Sequence, residues 1–240
     1  MNLSEAAILL VDDEPQLLEI FGFWLAAAGC RNLYTAANGE MALAVLKTGS
    51  IDLIVTDVRM PIMDGITLVR QLGETTEVVP RVIFISGFGD INQREMYGLG
   101  VEAFLAKPLL REDLITVMEK TLADRISLWL TPMEVGPRQS MLIQTDLEPT
   151  VEKADQDAFH LGRGGFSFRY PGSTKLGKVA FRCRFPPEER EIVGEGYVRW
   201  FSRTDQTVGI EFYFLEATCR SWLSEQITAL SPRSFIPSFS

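Results

Sequence analysis

The strongest constraint on this chain is a recurring pattern in its first 123 residues: short apolar runs, each closed by a polar residue and followed by a helical stretch. Ala6–Val11 is an unbroken apolar run ending at Asp12-Asp13-Glu14, as expected of a strand buried on both faces of a parallel sheet. Leu17, Phe21, Trp24, Leu25 and Ala28 then recur at helical spacing, and Gly29 supplies a stop. A short strand at Asn32–Ala36 leads to a helix at Glu40–Lys47. Leu53–Thr56 reads as a buried strand ending on Asp57, followed by a helix at Gly65–Leu72. Val82–Ile85 ends on Ser86, and a helix at Asn92–Leu99 follows. Ala103–Ala106 ends on Lys107-Pro108. A long helix is predicted from Arg111 to about Leu130, with Leu114, Val117, Met118 and Leu122 inward. Five strand–helix repeats predict a doubly wound α/β domain, a five-stranded parallel sheet covered on both faces.

In that architecture ligands sit beyond the carboxyl ends of the strands. Asp12, Asp13, Asp57, Ser86 and Lys107 occupy those ends here. Three carboxylates brought together repel one another unless a cation joins them. A site of oxygen ligands without His or Cys suits Mg²⁺. One carboxylate can then attack a phosphoryl donor. Lys107 can pair with a phosphoryl oxygen, and the Ser86 hydroxyl can hydrogen-bond another. A hydrolase with a carboxylate nucleophile would carry a DxD pair on one strand, and that spacing is absent from the ends of these five strands.

These motifs resemble the receiver domain of two-component response regulators. "ILLVDDE", "LIVTDVRMPIMDG", "VIFISGFGD" and "AFLAKP" carry the likeness over roughly residues 5–123. The resemblance implies a flavodoxin-like fold, with Asp57 as phosphoacceptor for a sensor histidine kinase. It implies Mg²⁺ held directly by Asp13, Asp57 and the Arg59 carbonyl, and by Asp12 through water. Ser86 and Lys107 would make the switch contacts. Phe104 would be the aromatic rotamer switch, and Lys107-Pro108 a cis peptide.

The second half has a different period. Phe166, Phe168 and Tyr170 alternate with Ser167 and Arg169; Val179, Phe181, Cys183 and Phe185 alternate with Ala180, Arg182 and Arg184. Glu191–Phe201 is a further run, and Val208, Ile210, Phe212 and Phe214 form the last. Pro171-Gly172-Ser173, Pro186-Pro187 and Asp205-Gln206 mark turns between them. This pattern predicts half-buried antiparallel strands, most simply a small β-barrel. A helix at Glu216–Leu230 follows, carrying Cys219, Trp222, Leu223 and Ile227, and then a Ser/Pro-rich tail expected to be loose. The expected domains are a receiver at 1–123, a helical extension at 124–136, a barrel at 137–230 and a loose tail at 231–240.

"HLGRGGFSF", "GKVAFRCRFPPEE", "GEGYVRWF" and "VGIEFYFLEATCRSWLSEQI" resemble a PilZ domain. PilZ domains that bind cyclic di-GMP carry an RxxxR pair and a D/N-x-S-x-x-G turn. Here Arg138 is the lone arginine of its segment, and Leu142 stands where the second belongs. The turn reads His160-Leu161-Gly162-Arg163-Gly164-Gly165 and keeps only the glycine. The expectation is therefore a PilZ-like output that acts through a protein partner. The alternative is a cyclic di-GMP receptor using Arg138 and Arg163 in a non-standard site. His160 is expected at a loop or strand edge. From Arg163 to Arg184 there are six cations and no acid, read first as a solvated outer face and second as an anion surface.

Net charge and rare residues exclude several classes. The chain carries −9 overall. Residues 1–123 hold −8 of it, and the second half shows no helix-turn-helix pattern, so DNA is not an expected partner. A single histidine and no CxxC pair leave no zinc site or His-based triad. No enzymatic output is expected beyond phosphotransfer to Asp57. No apolar run reaches membrane-spanning length, so a cytoplasmic location without membrane insertion is expected. Ile126, Leu128, Trp129 and Leu130 continue the apolar face of the long helix. They are expected to pack between domains or against a second subunit.

Overall fold

The computed structural model describes residues 1–75, 80–87, 92–130, 145–147, 159–170, 172, 174–185 and 190–238. Strand β1 (Ala7–Val11) pairs in parallel with β2 (Asn32–Ala36) and β3 (Leu53–Asp57); β3 pairs with β4 (Arg81–Ser86), and β4 with β5 (Val101–Ala106). The sheet order is β2-β1-β3-β4-β5, a five-stranded parallel sheet as expected from the repeats. Burial explains the continuous apolar runs: every residue of β3 is buried, and Ile8, Leu9, Leu10 and Val11 of β1 are at most 1% exposed.

Helices α1 (Pro15–Ala27), α2 (Gly39–Leu46), α3 (Gly65–Thr75) and α5 (Arg111–Leu122) link or follow these strands. Pro15 opens α1, where its missing N–H costs nothing. The Asn38 carboxamide caps α2 by accepting from the Met41 amide at 3.0 Å, and Asp64 accepts from Thr67 at 2.7 Å at the start of α3.

The chain divides into two units: Met1–Ile91 with Leu99–Ala123, and Asn92–Gly98 with Asp124–Ser240. The units therefore interleave in sequence, because helix α4 (Gln93–Leu99) falls almost wholly in the second.

The long helix predicted from Arg111 to Leu130 is two helices, α5 and α6 (Arg125–Leu130). Ala123 is extended (φ −62, ψ 155), and the Asp124 carboxylate accepts from the Ser127 amide at 2.9 Å, starting α6 afresh. The Arg81 guanidinium donates to the carbonyls of Thr121 and Ala123, satisfying groups the helix end leaves open. The apolar spacing runs straight across this break, so periodicity alone did not register it. Rather than extending α5, α6 joins the second core, with the Trp129 ring edge-on to Phe212 at 5.5 Å.

The second sheet comprises β6 (Thr145–Leu147), β7 (Phe159–Leu161), β8 (Gly165–Arg169), β9 (Gly177–Phe185), β10 (Arg190–Ser202) and β11 (Thr207–Leu215). Its order is β6-β9-β10-β11-β8-β7, antiparallel except for the β6–β9 pair. Among the described residues no ladder joins β7 to β6; the described strands form one six-stranded sheet of the alternating kind expected. One face packs Phe166, Phe168, Phe181, Ile210 and Phe212 against Trp129 and helix α7 (Ala217–Leu230), which supplies Cys219, Trp222 and Leu223. Burial pushes the Cys183 thiol up to about 12, with Cys219 adding to the shift; both cysteines belong to this core and are unpaired.

The opposite face is also covered, which the half-buried reading did not anticipate. Ser167 and Glu211 alternate with the core phenylalanines yet are 0% and 5% exposed. The segment expected to be loose is tied down there: Phe235 is 1% exposed and Ile236 0%. A Ser/Pro-rich composition masks two apolar residues that bury fully.

Charge on this face is paired. Both Nε and Nη2 of Arg199 lie 2.6 Å from Glu211 Oε2. Arg199→Met is expected to cost about 3–5 kcal/mol in urea denaturation, because it strands a buried carboxylate. The double variant with Glu211→Gln should recover much of the loss. Two cations of the basic stretch are likewise paired across strands, Lys178 with Glu195 at 2.6 Å and Arg182 with Glu191 at 2.8 Å. No helix among the described residues is long and apolar enough to cross a membrane.

Candidate functional site

Parallel strands point their carboxyl ends the same way, so the polar residues that close them meet at one edge. Asp12 and Asp13 follow β1, Asp57 ends β3, Ser86 ends β4 and Lys107 follows β5. The carboxylates of Asp12, Asp13 and Asp57 each offer an oxygen within 4.8 Å of the others. Lys107 Nζ lies 2.9 Å from Asp12 Oδ2, 3.3 Å from Asp57 Oδ2 and 3.7 Å from Glu14 Oε1. All the residues expected at the strand ends are therefore gathered here.

The two aspartates after β1 have different environments. Asp12 is 1% exposed and both its oxygens are engaged, Oδ2 by Lys107 and Oδ1 by the Glu14 amide at 2.9 Å. Asp13 is exposed. Asp57 Oδ1 accepts from the Val58 amide at 2.8 Å, leaving Oδ2 toward Lys107. Burial pushes the Asp57 carboxyl above its usual range, and the charge of Asp12 adds to this while Lys107 opposes it. Burial acts to lower the Lys107 ammonium, but the hydrogen bonds and charges of Asp12 and Asp57 together outweigh it and raise the group. Lys107 is thus a fixed cation at neutral pH.

Backbone contacts hold these groups in place. The Lys107 amide donates to the Ser86 carbonyl at 2.7 Å, coupling the ends of β4 and β5, and the Lys107-Pro108 peptide is cis. Ser86 is partly exposed beside them. Phe104 on β5 is partly buried, edge-on to the fully buried Phe84 at 6.2 Å. Arg59 is exposed two residues beyond Asp57.

Sequence reasoning assigned no role to Gly65. A Cβ there would strike the Asp57 carbonyl oxygen, so only glycine lets α3 begin this close to the phosphoacceptor candidate. The Asp-Gly pair that opens α3 was the available signal. Glu14 was also missed as a third carboxylate near Lys107.

In the second unit, His160 sits on the edge strand β7 opposite Ser167. Arg138 lies outside the described residues. Arg163 is described: its amide donates to the Ser234 carbonyl at 2.9 Å, within the glycine run now covered by Phe235.

With this geometry in place, comparison with known proteins is informative for the first unit. Residues 8–119 match the family model "Response regulator receiver domain". The chain is 33% identical over 123 residues to the transcriptional regulatory protein GlrR of Escherichia coli, covering 51% of this chain and 27% of that protein. It is 29% identical over 193 residues to the transcriptional regulatory protein CpxR of Klebsiella pneumoniae, covering 78% and 80%. A putative response regulator from Chloroflexus aurantiacus overlays 50% of this chain and 98% of its own at TM-score 0.46 and 27% identity. The chain thus spans about a quarter of GlrR's length. Residues 8–119 are a response regulator receiver domain of two-component signalling.

Proposed function

We propose that the chain is a phosphorylation-switched response regulator in which Asp57 accepts a phosphoryl group from a sensor histidine kinase. The observation that carries this reading is Lys107 Nζ held between Asp12 and Asp57 at 2.9 and 3.3 Å, with Asp13 exposed beside them. An Asp57 oxygen attacks the phosphorus of the donor, an acyl phosphate bond forms, and the donor's P–N or P–O bond breaks with its electron pair leaving on the donor. Lys107 then exchanges its Asp57 contact for a phosphoryl oxygen, and the Ser86 hydroxyl donates to another. The all-oxygen cluster fits Mg²⁺: Asp13, Asp57 and the Arg59 carbonyl would hold it directly, and Asp12, whose oxygens are already engaged, through water. When bound, Mg²⁺ supplies neutralising charge for the transferring oxygens.

The second unit is read as a PilZ-like output domain that engages a protein partner, in the cytoplasm and without binding DNA. An antiparallel sheet closed by α7 supports this. The covered glycine run at Gly162–Gly165 speaks for a protein partner over a nucleotide.

Radiolabelled acetyl phosphate with Mg²⁺ tests the receiver chemistry. The expected result is about one phosphoryl group per chain, released by hydroxylamine as an acyl phosphate would be. Lys107→Ala should slow labelling by about 10–100-fold while leaving it at Asp57. Absence of label in the folded wild-type chain would refute the reading.

A further inference from the structure

The second unit holds a feature that phosphoryl transfer does not use. The ring of Phe235 lies where Gly164 has no side chain, since a Cβ on Gly164 would overlap the edge of that ring at Cε2. A Cβ on Gly162 would meet the Phe235 carbonyl oxygen and Pro237. Tyr97 stacks on Phe235 at 5.9 Å, and the Arg125 guanidinium sits 4.8 Å from the same ring centroid. Glycine floor, aromatic wall and cation thus form a slot shaped for one aromatic side chain.

The main chain of the occupant is held as well. Arg163 N–H donates to the Ser234 carbonyl at 2.9 Å, Gly164 N–H to the Phe235 carbonyl at 3.0 Å, and Phe235 N–H to the Tyr97 carbonyl at 2.9 Å. Backbone pairing plus a side-chain pocket is how peptide-binding domains hold a segment.

Two observations mark the occupant as displaceable. Its connection to α7 is short and strained: Ser231, not a glycine, adopts φ 43 and ψ 51, and Ser231 and Arg233 are exposed. The hydroxyls of Ser167 and Thr207 and the indole N–H of Trp200, on the same sheet, are buried without hydrogen-bond partners, so the closed state of this unit carries a desolvation cost that opening to water relieves.

We propose that this slot is a docking site for a partner peptide carrying an aromatic residue followed by an aliphatic residue and proline. Residues 234–237, Ser-Phe-Ile-Pro, fill it in cis until such a partner competes. A tethered occupant acts at millimolar effective concentration, so the slot is nearly closed to outside peptide in the wild-type chain and opens when its own ring is removed.

Fluorescence polarisation with a labelled peptide of residues 231–238 tests this on the full-length chain. Phe235→Ala should bind it at least about 10-fold more tightly than wild type. The same peptide with alanine for phenylalanine should not bind, and adding Gly164→Val to the Phe235→Ala chain should abolish binding. A Phe235→Ala chain that melts cooperatively yet binds nothing at about 1 mM peptide overturns the proposal. Should that variant not fold, amide exchange in the wild type decides. The Gly164 and Phe235 amides should exchange at least about 100-fold faster than that of Ile210. Exchange of all three at one common rate would show the segment to be a fixed part of the core and overturn the proposal. No arm reads phosphorylation, so the outcome is independent of the receiver chemistry.

Discussion

Asp57→Asn is expected to reduce labelling by a small phosphodonor at least about 100-fold, to the background of a chain without a nucleophile. Asparagine keeps the shape and the Val58 amide contact but offers no charged oxygen to attack phosphorus. The same substitution should raise thermal stability at neutral pH. Burial and the neighbouring Asp12 carboxylate hold the Asp57 pKa above its unfolded value, so ionising it in the folded state costs free energy. That cost is absent below the unfolded pKa and grows as pH rises through the folded one. The variant's advantage should therefore appear at neutral pH and vanish below about pH 4, where Asp57 is neutral in both states. Parallel melts of the two proteins across pH, without divalent cation, measure this. A variant that labels like wild type would remove Asp57 from its assigned role.

Trp129→Ala should cost the second unit about 3–5 kcal/mol, since it empties a ring-sized volume against Phe212 in a well-filled core. Labelling of Asp57 in the variant should stay within about twofold of wild type at temperatures where both units are folded. Urea denaturation followed by near-ultraviolet circular dichroism reports the loss. A change under about 1 kcal/mol would mean that α6 is not part of this core.

The receiver site was legible because its chemistry sits at strand ends. Buried parallel strands write themselves as apolar runs, and the residue that stops each run is the residue delivered to the edge. Asp12, Asp57 and Lys107 could thus be placed together before any coordinates. What stayed hidden depends on which surface covers which. The break at Ala123 is invisible to periodicity because Leu128 and Trp129 keep the helical spacing while changing cores. Alternation in β8 and β11 shows two faces but not that both are buried, so Ser167 and Glu211 read as solvent-facing. The glycines at 162 and 164 read as an eroded nucleotide turn, because nothing local says that a phenylalanine about seventy residues on occupies their space.

The interleaving of the two units bears on how such a chain can evolve. A receiver is usually pictured as a bead that recombination can restring in front of any output. Here helix α4 is encoded between two receiver strands, yet it belongs with the second unit. A swap at Ala123 would deliver a new receiver carrying a foreign residue at position 97, against a Phe235 tuned to the old one. Residues 92–98 and 231–238 are therefore expected to drift together across descendants of this chain, as one inherited block written in two distant places.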